Sequence, residues 1–238
     1  MRNGKMTTQT LIFGHRGYPA KFAENSLEGF RYAVDHNIDG LEFDVHLTKD
    51  SVPVVIHDET VDRTTDGKGE IRTFTFAELR QLHLTNGEAI PSLEELLTTV
   101  ATSNTQLNLE LKTDQIEYEN IEKIVLEMIS QAPLVKPVIF SSFNLETLKK
   151  CQKIDAAQQY CWLTMHKVPD AATFVKKAGL AGLHLHHRQA DEVVQRIWTI
   201  NDTFKIRHLF KQGVAGIITD NFEKAGKIRD KLMTKLNS

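Results

Sequence analysis

Thr10-Leu11-Ile12-Phe13-Gly14-His15 is a short apolar run ending on a polar residue, and Ser26 to Asn37 follows it with helical periodicity. Together they predict one β/α unit, with Ser26 at the position of an N-cap. The same alternation recurs along the chain. Gly40 to Thr48 is rich in β-formers, Pro53 to His57 reads as a short extension, and Ser92 to Thr102 carries Ser-x-x-Glu, the signature of a capping box. Gln106–Lys112, Val138–Ser141, Tyr160–Leu163, Gly182–His186, Arg196–Thr199 and Gly216–Thr219 predict further strands. Helical patterns over Tyr118–Gln131, Leu145–Lys153, Ala171–Ala178, Asp202–Gln212 and Asn221–Leu236 separate most of them.

Eight strands alternating with helices favour a (β/α)8 TIM barrel, whose sites lie at the C-terminal ends of its strands. A doubly wound open sheet produces the same alternation, so the pattern decides class and leaves closure open. The 238 residues approach the roughly 250 typical of one such barrel, and the chain reads as a single domain over 1–238. Residues 59–91, with Thr64, Thr65, Gly67, Gly69 and Pro91, read as a small insertion after strand 2. Nine residues, His187 to Gln195, separate the sixth strand from the seventh, too few for an ordinary parallel crossover. Helix 6 is therefore expected to be shortened or missing, its place covered by a neighbouring helix or by a second copy in a homodimer.

Composition narrows function. Hydrophobic residues make up 41% and charged residues 25%, as in an ordinary globular chain. The net charge is −2, which gives no electrostatic footprint for nucleic acid or for an anionic membrane. Cys151 and Cys161 fit neither a disulfide framework nor zinc spacing and read as reduced thiols. Met1 to Thr8 lacks the apolar stretch of a signal peptide, Met6 is an alternative start, and no later run has the length of a membrane span. These features predict a cytoplasmic protein acting on a small molecule.

The chemistry-bearing residues cluster at predicted strand ends. His15-Arg16-Gly17 closes the first strand, followed by Glu24-Asn25-Ser26. On the second, Glu42 and Asp44 are two residues apart, so period two puts both carboxylates on one face. On the third, Glu110 and Lys112 share a face in the same way. Three carboxylates from adjacent strands suit one hard divalent cation, Mg²⁺ or Ca²⁺, better than zinc. Ion pairing with Lys112 and Arg16 is the competing structural reading. His57-Asp58 ends the extension after the second strand and supplies a second imidazole for proton transfer, with Asp58 either orienting it or capping the next turn. His184, His186 and His187 read as pocket-lining or solvated rather than as a second metal site.

His15-Arg16-Gly17, Glu24-Asn25-Ser26, Glu42-Phe43-Asp44, His57-Asp58, Arg63-Thr64-Thr65-Asp66-Gly67, Pro91-Ser92-Leu93-Glu94-Glu95, Glu110-Leu111-Lys112, Trp198-Thr199-Ile200-Asn201 and Gly216-Ile217-Ile218-Thr219-Asp220 resemble, in order, the motifs of the glycerophosphodiester phosphodiesterase family. The resemblance implies a barrel with a small insertion after strand 2, a divalent metal, and hydrolysis of glycerophosphodiesters to glycerol 3-phosphate and an alcohol. It implies a metal-ligand role for Glu42, Asp44 and Glu110 and an acid–base role for His15 and His57. Arg16 and Lys112 would add positive charge at the phosphate. Trp198 would wall the glycerol backbone or fill the barrel core, and Asn25, Asp58 and Asp220 would support the groups that react. Ala215, where similar proteins often have Asp, and Asn221, where Pro is frequent nearby, depart from the pattern without replacing a proposed ligand. A phospholipase C- or D-like enzyme on a related barrel and a non-catalytic glycerophosphodiester-binding protein are the alternatives. The first would need a membrane-docking surface, and the second would have no use for two proton-transfer groups.

Overall fold

The computed structural model describes residues 10–237, so the readings at Met1 to Thr8, including Met6, lie outside the described residues. Eight parallel strands form the barrel: β1 (Leu11–His15), β2 (Gly40–Leu47), β4 (Gln106–Leu111), β5 (Ile139–Ser142), β6 (Gln159–Thr164), β7 (Gly182–Leu185), β8 (Gln195–Ile197) and β9 (Gly216–Thr219). Their order is β1-β9-β8-β7-β6-β5-β4-β2, and pairing of β1 with β2 closes the ring. Closure removes the open-sheet alternative. It rests on two registers of the first strand, Phe13 beside Gly40 on one side and beside Ile218 on the other.

The ninth strand, β3 (Pro53–Val55), folds back antiparallel on β2, with Val45 opposite Val55 and Leu47 opposite Pro53. The sequence reading of an extension after strand 2 therefore describes a hairpin arm, and its antiparallel return carries His57 back toward Asp44. The backbone N–H of Ile56 donates to the Asp44 carbonyl at 3.2 Å.

Helices α1 (Leu27–Asp35), α3 (Leu93–Val100), α4 (Ile121–Gln131), α5 (Leu145–Ile154), α6 (Ala171–Lys177), α7 (Thr203–Gln212) and α8 (Phe222–Asn237) surround the strands. Their starts follow local chemistry. Ser26 Oγ accepts from Gly29 N at 3.1 Å to open α1, and Ser92 with Glu95 forms the expected capping box of α3. Apolar faces such as Leu93, Leu96, Leu97 and Val100 are buried against the barrel. Within the barrel, Phe13, Ile139, Cys161 and Ile218 form a separate cluster on which Trp198 packs.

The segment after β3 has its own small core of Ile56, Val61, Ile71, Leu79, Leu84 and Ile90. It contains a 3₁₀ turn at Ile71–Thr73 and the four-residue helix α2 (Phe76–Leu79), which opens with a Thr75/Glu78 capping box. Between β7 and β8 there is no helix. Buried side-chain amides order that connection instead: Gln189 N donates to Gln195 Oε1 at 2.8 Å, and Gln195 Nε2 donates to the Gln189 carbonyl at 3.0 Å. No helix among the described residues is long and apolar enough to cross a membrane. Cys151 and Cys161 are buried free thiols.

Candidate active site

The turn after β1 is built for close approach. Arg16 and Asn25 adopt left-handed backbone conformations (φ 53° and 55°), Gly17 has φ 87°, and a Cβ on Gly14 would lie 2.2 Å from the Gly17 carbonyl oxygen. This backbone sets His15 beside Asp220, which directly follows β9. His15 Nδ1 and Asp220 Oδ1 are 2.6 Å apart. A carboxylate only accepts, so Nδ1 carries a hydrogen and Nε2 is the nitrogen left for other partners. Asp220 is fixed in turn: Asn201 Nδ2 donates to its Oδ2 at 2.5 Å, and Asn201 Oδ1 accepts from the Asp220 backbone N–H at 3.0 Å. Burial raises the Asp220 carboxyl, but the His15 hydrogen bond and charge outweigh it and hold the group below its usual value.

Strand parity delivers the carboxylates as expected. Glu42, Asp44 and Glu110 are buried, Asp44 lies opposite Glu110 in the β2–β4 register, and each offers an oxygen within 4.8 Å of the others'. Burial and the neighbouring charges of Asp44 and Glu110 push Glu42 well above the ordinary carboxylate range. Burial, with the charge of Asp44, raises Glu110 to about 7 even though Lys112 pulls it down. Asp44 is pushed up by its own burial, but Lys112, His57 and Arg16 outweigh that and hold it low. Arg16 donates its backbone N–H to Glu42 Oε2 at 3.1 Å, and Lys112 Nζ lies 3.1 Å from Glu110 Oε1 and 4.0 Å from Asp44 Oδ1. Asn25 Nδ2 donates to Asp44 Oδ2 at 3.1 Å, while its Oδ1 is buried without a hydrogen-bond partner.

Beside Lys112, His57 Nε2 lies 3.5 Å from Lys112 Nζ and its Nδ1 lies 2.7 Å from Asp58 Oδ1. This is the contact that the first of the two sequence readings, an orienting Asp58, requires. Hydrogen bonds from Arg63 are the main reason the Asp58 carboxyl is held far below its usual value. Arg63 also bridges to Glu24, which accepts from Arg16 Nη1 at 3.0 Å. A continuous chain of charge thus runs from Asp58 through Arg63 of the insertion and Glu24 to Arg16 at the end of β1.

The sequence reading did not assign Glu24, Arg63, Asn201 or His46 to the site. The first three stand inside recognised motifs. His46 continues the Glu42, Asp44 parity, which was the available signal. It is fully buried, with Nδ1 2.8 Å from the Tyr118 hydroxyl and Nε2 3.0 Å from the His57 carbonyl oxygen. The carbonyl requires the hydrogen on Nε2, so Nδ1 accepts from Tyr118. Burial pushes this imidazole down to about 4, and it is neutral.

Trp198 stands apart from this network, touching the rings of Phe143 and His186, each at 5.5 Å between centroids. His184 is neither pocket-lining nor solvated. It points with its strand's inward face into the barrel, wholly buried, with Nε2 3.4 Å from Arg196 Nη1. Burial and the Arg196 charge keep it neutral.

The family model described as "Glycerophosphoryl diester phosphodiesterase family" matches residues 15–224. A glycerophosphodiester phosphodiesterase of Bacillus altitudinis is 33% identical, over 94% of this chain and 99% of its own. Among solved structures, a glycerophosphodiester phosphodiesterase from Thermotoga maritima is 30% identical, with TM-score 0.74 over 96% of this chain and 99% of that one. A phosphodiesterase from Oleispira antarctica, in complex with the product sn-glycerol-3-phosphate, is 27% identical, with TM-score 0.87 over 93% and 97%. With the motif order, the closed barrel and these matches all spanning nearly the whole described chain, the protein belongs to the glycerophosphoryl diester phosphodiesterase family.

Proposed function

We propose that this chain hydrolyses soluble glycerophosphodiesters to sn-glycerol 3-phosphate and an alcohol, using one divalent cation at Glu42, Asp44 and Glu110 and an acid–base pair of His15 and His57. The observation that carries this reading is the group of three mutually close, buried carboxylates, with two imidazoles at neighbouring strand ends that each contact an aspartate through Nδ1. The product complex of the Oleispira antarctica protein supports the choice of product.

The donor set fits a hard cation. All three donors are oxygens, and the raised Glu42 and Glu110 carboxyls are what buried, close acids become when Arg16 and Lys112 offset them only in part. Metal–oxygen distances of about 2.0–2.6 Å let oxygens under 5 Å apart share one ion, and either Mg²⁺ or Ca²⁺ meets that requirement. The bound cation would supply electrostatic stabilisation of charge on a phosphate oxygen.

The chain's own groups do the rest. Arg16 and Lys112, both beside the carboxylates, attract the phosphodiester and offset the charge it gains as the attacking oxygen bonds to phosphorus. One imidazole takes the proton from that oxygen through its free Nε2. The other, protonated, delivers a proton to the alcohol oxygen as its bond to phosphorus breaks, so the protons balance over the reaction. Asp220 and Asp58 each hold one Nδ1–H and so present Nε2 for these transfers. Trp198 supplies an apolar wall for the glycerol carbons. We read residues 1–238 as one catalytic domain with 59–91 as its insertion, acting in the cytoplasm on small diesters.

Release of glycerol 3-phosphate from a panel of glycerophosphodiesters, with chelator, with each re-added cation, and with His15→Ala, tests this reading. Activity should vanish with chelator and return with Mg²⁺ or Ca²⁺. Full turnover under chelation, or in His15→Ala, would overturn it.

A further inference from the structure

Arg63 belongs to the insertion, and the residues around it fix its place. Val61 is fully buried in the insertion's small core. Four residues on, Thr65 returns to it twice: its backbone N–H donates to the Val61 carbonyl at 3.1 Å and its hydroxyl to the same oxygen at 2.8 Å. Arg63 stands in the middle of that turn, and its half-exposed side chain engages two carboxylates at once. Nε donates to Asp58 Oδ2 at 2.6 Å and Nη2 to Asp58 Oδ1 at 2.9 Å. Nη1 donates to Glu24 Oε2 at 2.8 Å, and Nη2 also donates to Glu24 Oε1 at 2.7 Å. Both are two-point contacts of a kind that the planar fork of arginine makes and an ammonium group does not.

Each carboxylate passes its orientation to a different group. Asp58 Oδ1 also meets His57 Nδ1 at 2.7 Å, and Glu24 Oε1 also accepts from Arg16 Nη1 at 3.0 Å. With both oxygens of each acid held by Arg63, the plane of each carboxylate is set, and with it the direction of the lone pair left for its second partner. Both acids stay ionised acceptors. Asp58 is held low chiefly by the hydrogen bonds from Arg63; at Glu24 burial pushes upward, and Arg63 with Arg16 outweighs it. His15 is oriented separately, by an Asp220 that Asn201 holds.

Resting on the phosphodiesterase reading, we propose that Arg63 is a positioning residue: through Asp58 it sets the proton-transfer imidazole of His57, and through Glu24 the phosphate-binding guanidinium of Arg16. The insertion is then a working part of the catalytic site. The alternative is a latch that only holds the insertion on the barrel. A latch needs charge and little geometry, and the insertion has other ties: Glu28 N donates to Glu88 Oε2 at 3.2 Å, Lys49 N to the Phe74 carbonyl at 2.8 Å and Val55 N to the Pro91 carbonyl at 2.9 Å. Four donated bonds in two matched pairs are more than a latch requires.

The test measures release of glycerol 3-phosphate from glycerophosphoglycerol by wild type, Arg63→Ala, Arg63→Lys, Asp58→Asn and Glu24→Gln. Asp58→Asn should lower kcat by about tenfold to a hundredfold with KM nearly unchanged, Glu24→Gln should act mainly by raising KM about threefold to tenfold, and Arg63→Ala should show both effects. Arg63→Lys keeps the charge without the fork and should recover little of either. Exposed ion pairs add little to global stability, so Tm should stay within a few degrees of wild type in every variant. Guanidinium at about 50 mM, far below the molar concentrations that unfold proteins, should restore part of the Arg63→Ala turnover and none of that lost in Asp58→Asn. Wild-type kcat and KM in Arg63→Ala, or full recovery in Arg63→Lys, would overturn the proposal and leave the phosphodiesterase reading intact. Loss of turnover together with a fall in Tm of about 10 °C or more, unrelieved by guanidinium, would make Arg63 a latch and overturn it as well. Absence of turnover in wild type would instead sink the phosphodiesterase reading. The positioning role is then read by proton NMR: the His57 Nδ1–H resonance, assigned by its loss in His57→Ala, should be sharp in wild type and broadened or absent in Arg63→Ala, and an unchanged resonance would overturn it.

Discussion

His15 and Asp220 meet at 2.6 Å across 205 positions of sequence, at the seam where the first and last barrel strands pair. The contact fixes which imidazole nitrogen is free, and it is the most direct point at which to test the chemistry. Asp220→Asn keeps the shape but no longer demands a hydrogen on Nδ1. Turnover should fall by about 10²-fold or more with KM nearly unchanged, read by steady-state release of glycerol 3-phosphate. A variant with wild-type kcat would remove Asp220 from the mechanism.

Replacing His57 by Ala should lower kcat by ~10²- to 10⁴-fold, and the same change at His15 should do likewise. The double variant should be little slower than either single one, because the two groups serve one displacement. Multiplicative losses would mean that they act in separate steps.

Cation binding should stabilise the fold in a pH-dependent way. In the cation-free protein Glu42 and Glu110 are raised above their unfolded values, Glu110 to about 7. The folded state then holds protons that the unfolded chain has released, so the stability Glu110 contributes is full below its unfolded value and is lost as pH rises through about 7, and Glu42 acts in the same direction. Saturating Mg²⁺ or Ca²⁺ competes with those protons. The rise in Tm on adding either ion should therefore be small near pH ~5 and larger near pH ~8. Differential scanning fluorimetry at both values checks this, and an equal shift at each would contradict it.

His46 predicts a separable effect. His46→Leu removes two buried hydrogen bonds and strands the His57 carbonyl and the Tyr118 hydroxyl, costing about 1–3 kcal/mol in denaturant unfolding and slowing turnover. Glutamine can donate to that carbonyl and accept from that hydroxyl, so His46→Gln should recover most of both losses. The glutamine variant should also lose less stability in acid. The native imidazole is depressed to about 4, so the unfolded chain binds the extra proton, and stability falls as pH drops from the usual histidine value toward 4. Failure of His46→Gln to restore turnover would limit His46 to a packing role.

The parts of this site that follow from periodicity were legible in advance. Period two on Gly40–Leu47 and Gln106–Leu111 aligned Glu42 with Asp44 and aimed Glu110 and Lys112 together, because parity survives whatever the tertiary fold does. The nine-residue gap before Gln195 foretold the missing helix for the same reason: chain length limits what a connection can contain. Closure was not legible, since it depends on Phe13 pairing with both Gly40 and Ile218, a relationship that leaves no local trace. Nor was the fate of His184. Depth along the strand separates a wholly buried residue beside Arg196 from His186, which follows the strand's end. The Glu24–Arg63 link was hidden because it joins the first loop to the insertion, and only the fold-back of β3 brings them together.

The seam between β1 and β9 also has a consequence for biosynthesis. Ribosomes make the chain from its N-terminus, so His15, Glu42 and Asp44 emerge long before Thr219 and Asp220. Until β9 arrives, β1 has an unpaired edge, and His15 lacks the carboxylate that selects its tautomer. Asp39 accepts from the Ile12 backbone N–H and from Arg229 of α8, so the last helix locks the same seam from the other end of the barrel. A partly made chain therefore holds the acidic cluster before His15 has its carboxylate partner, and the proposed acid–base pair is complete only when the final strand closes the ring.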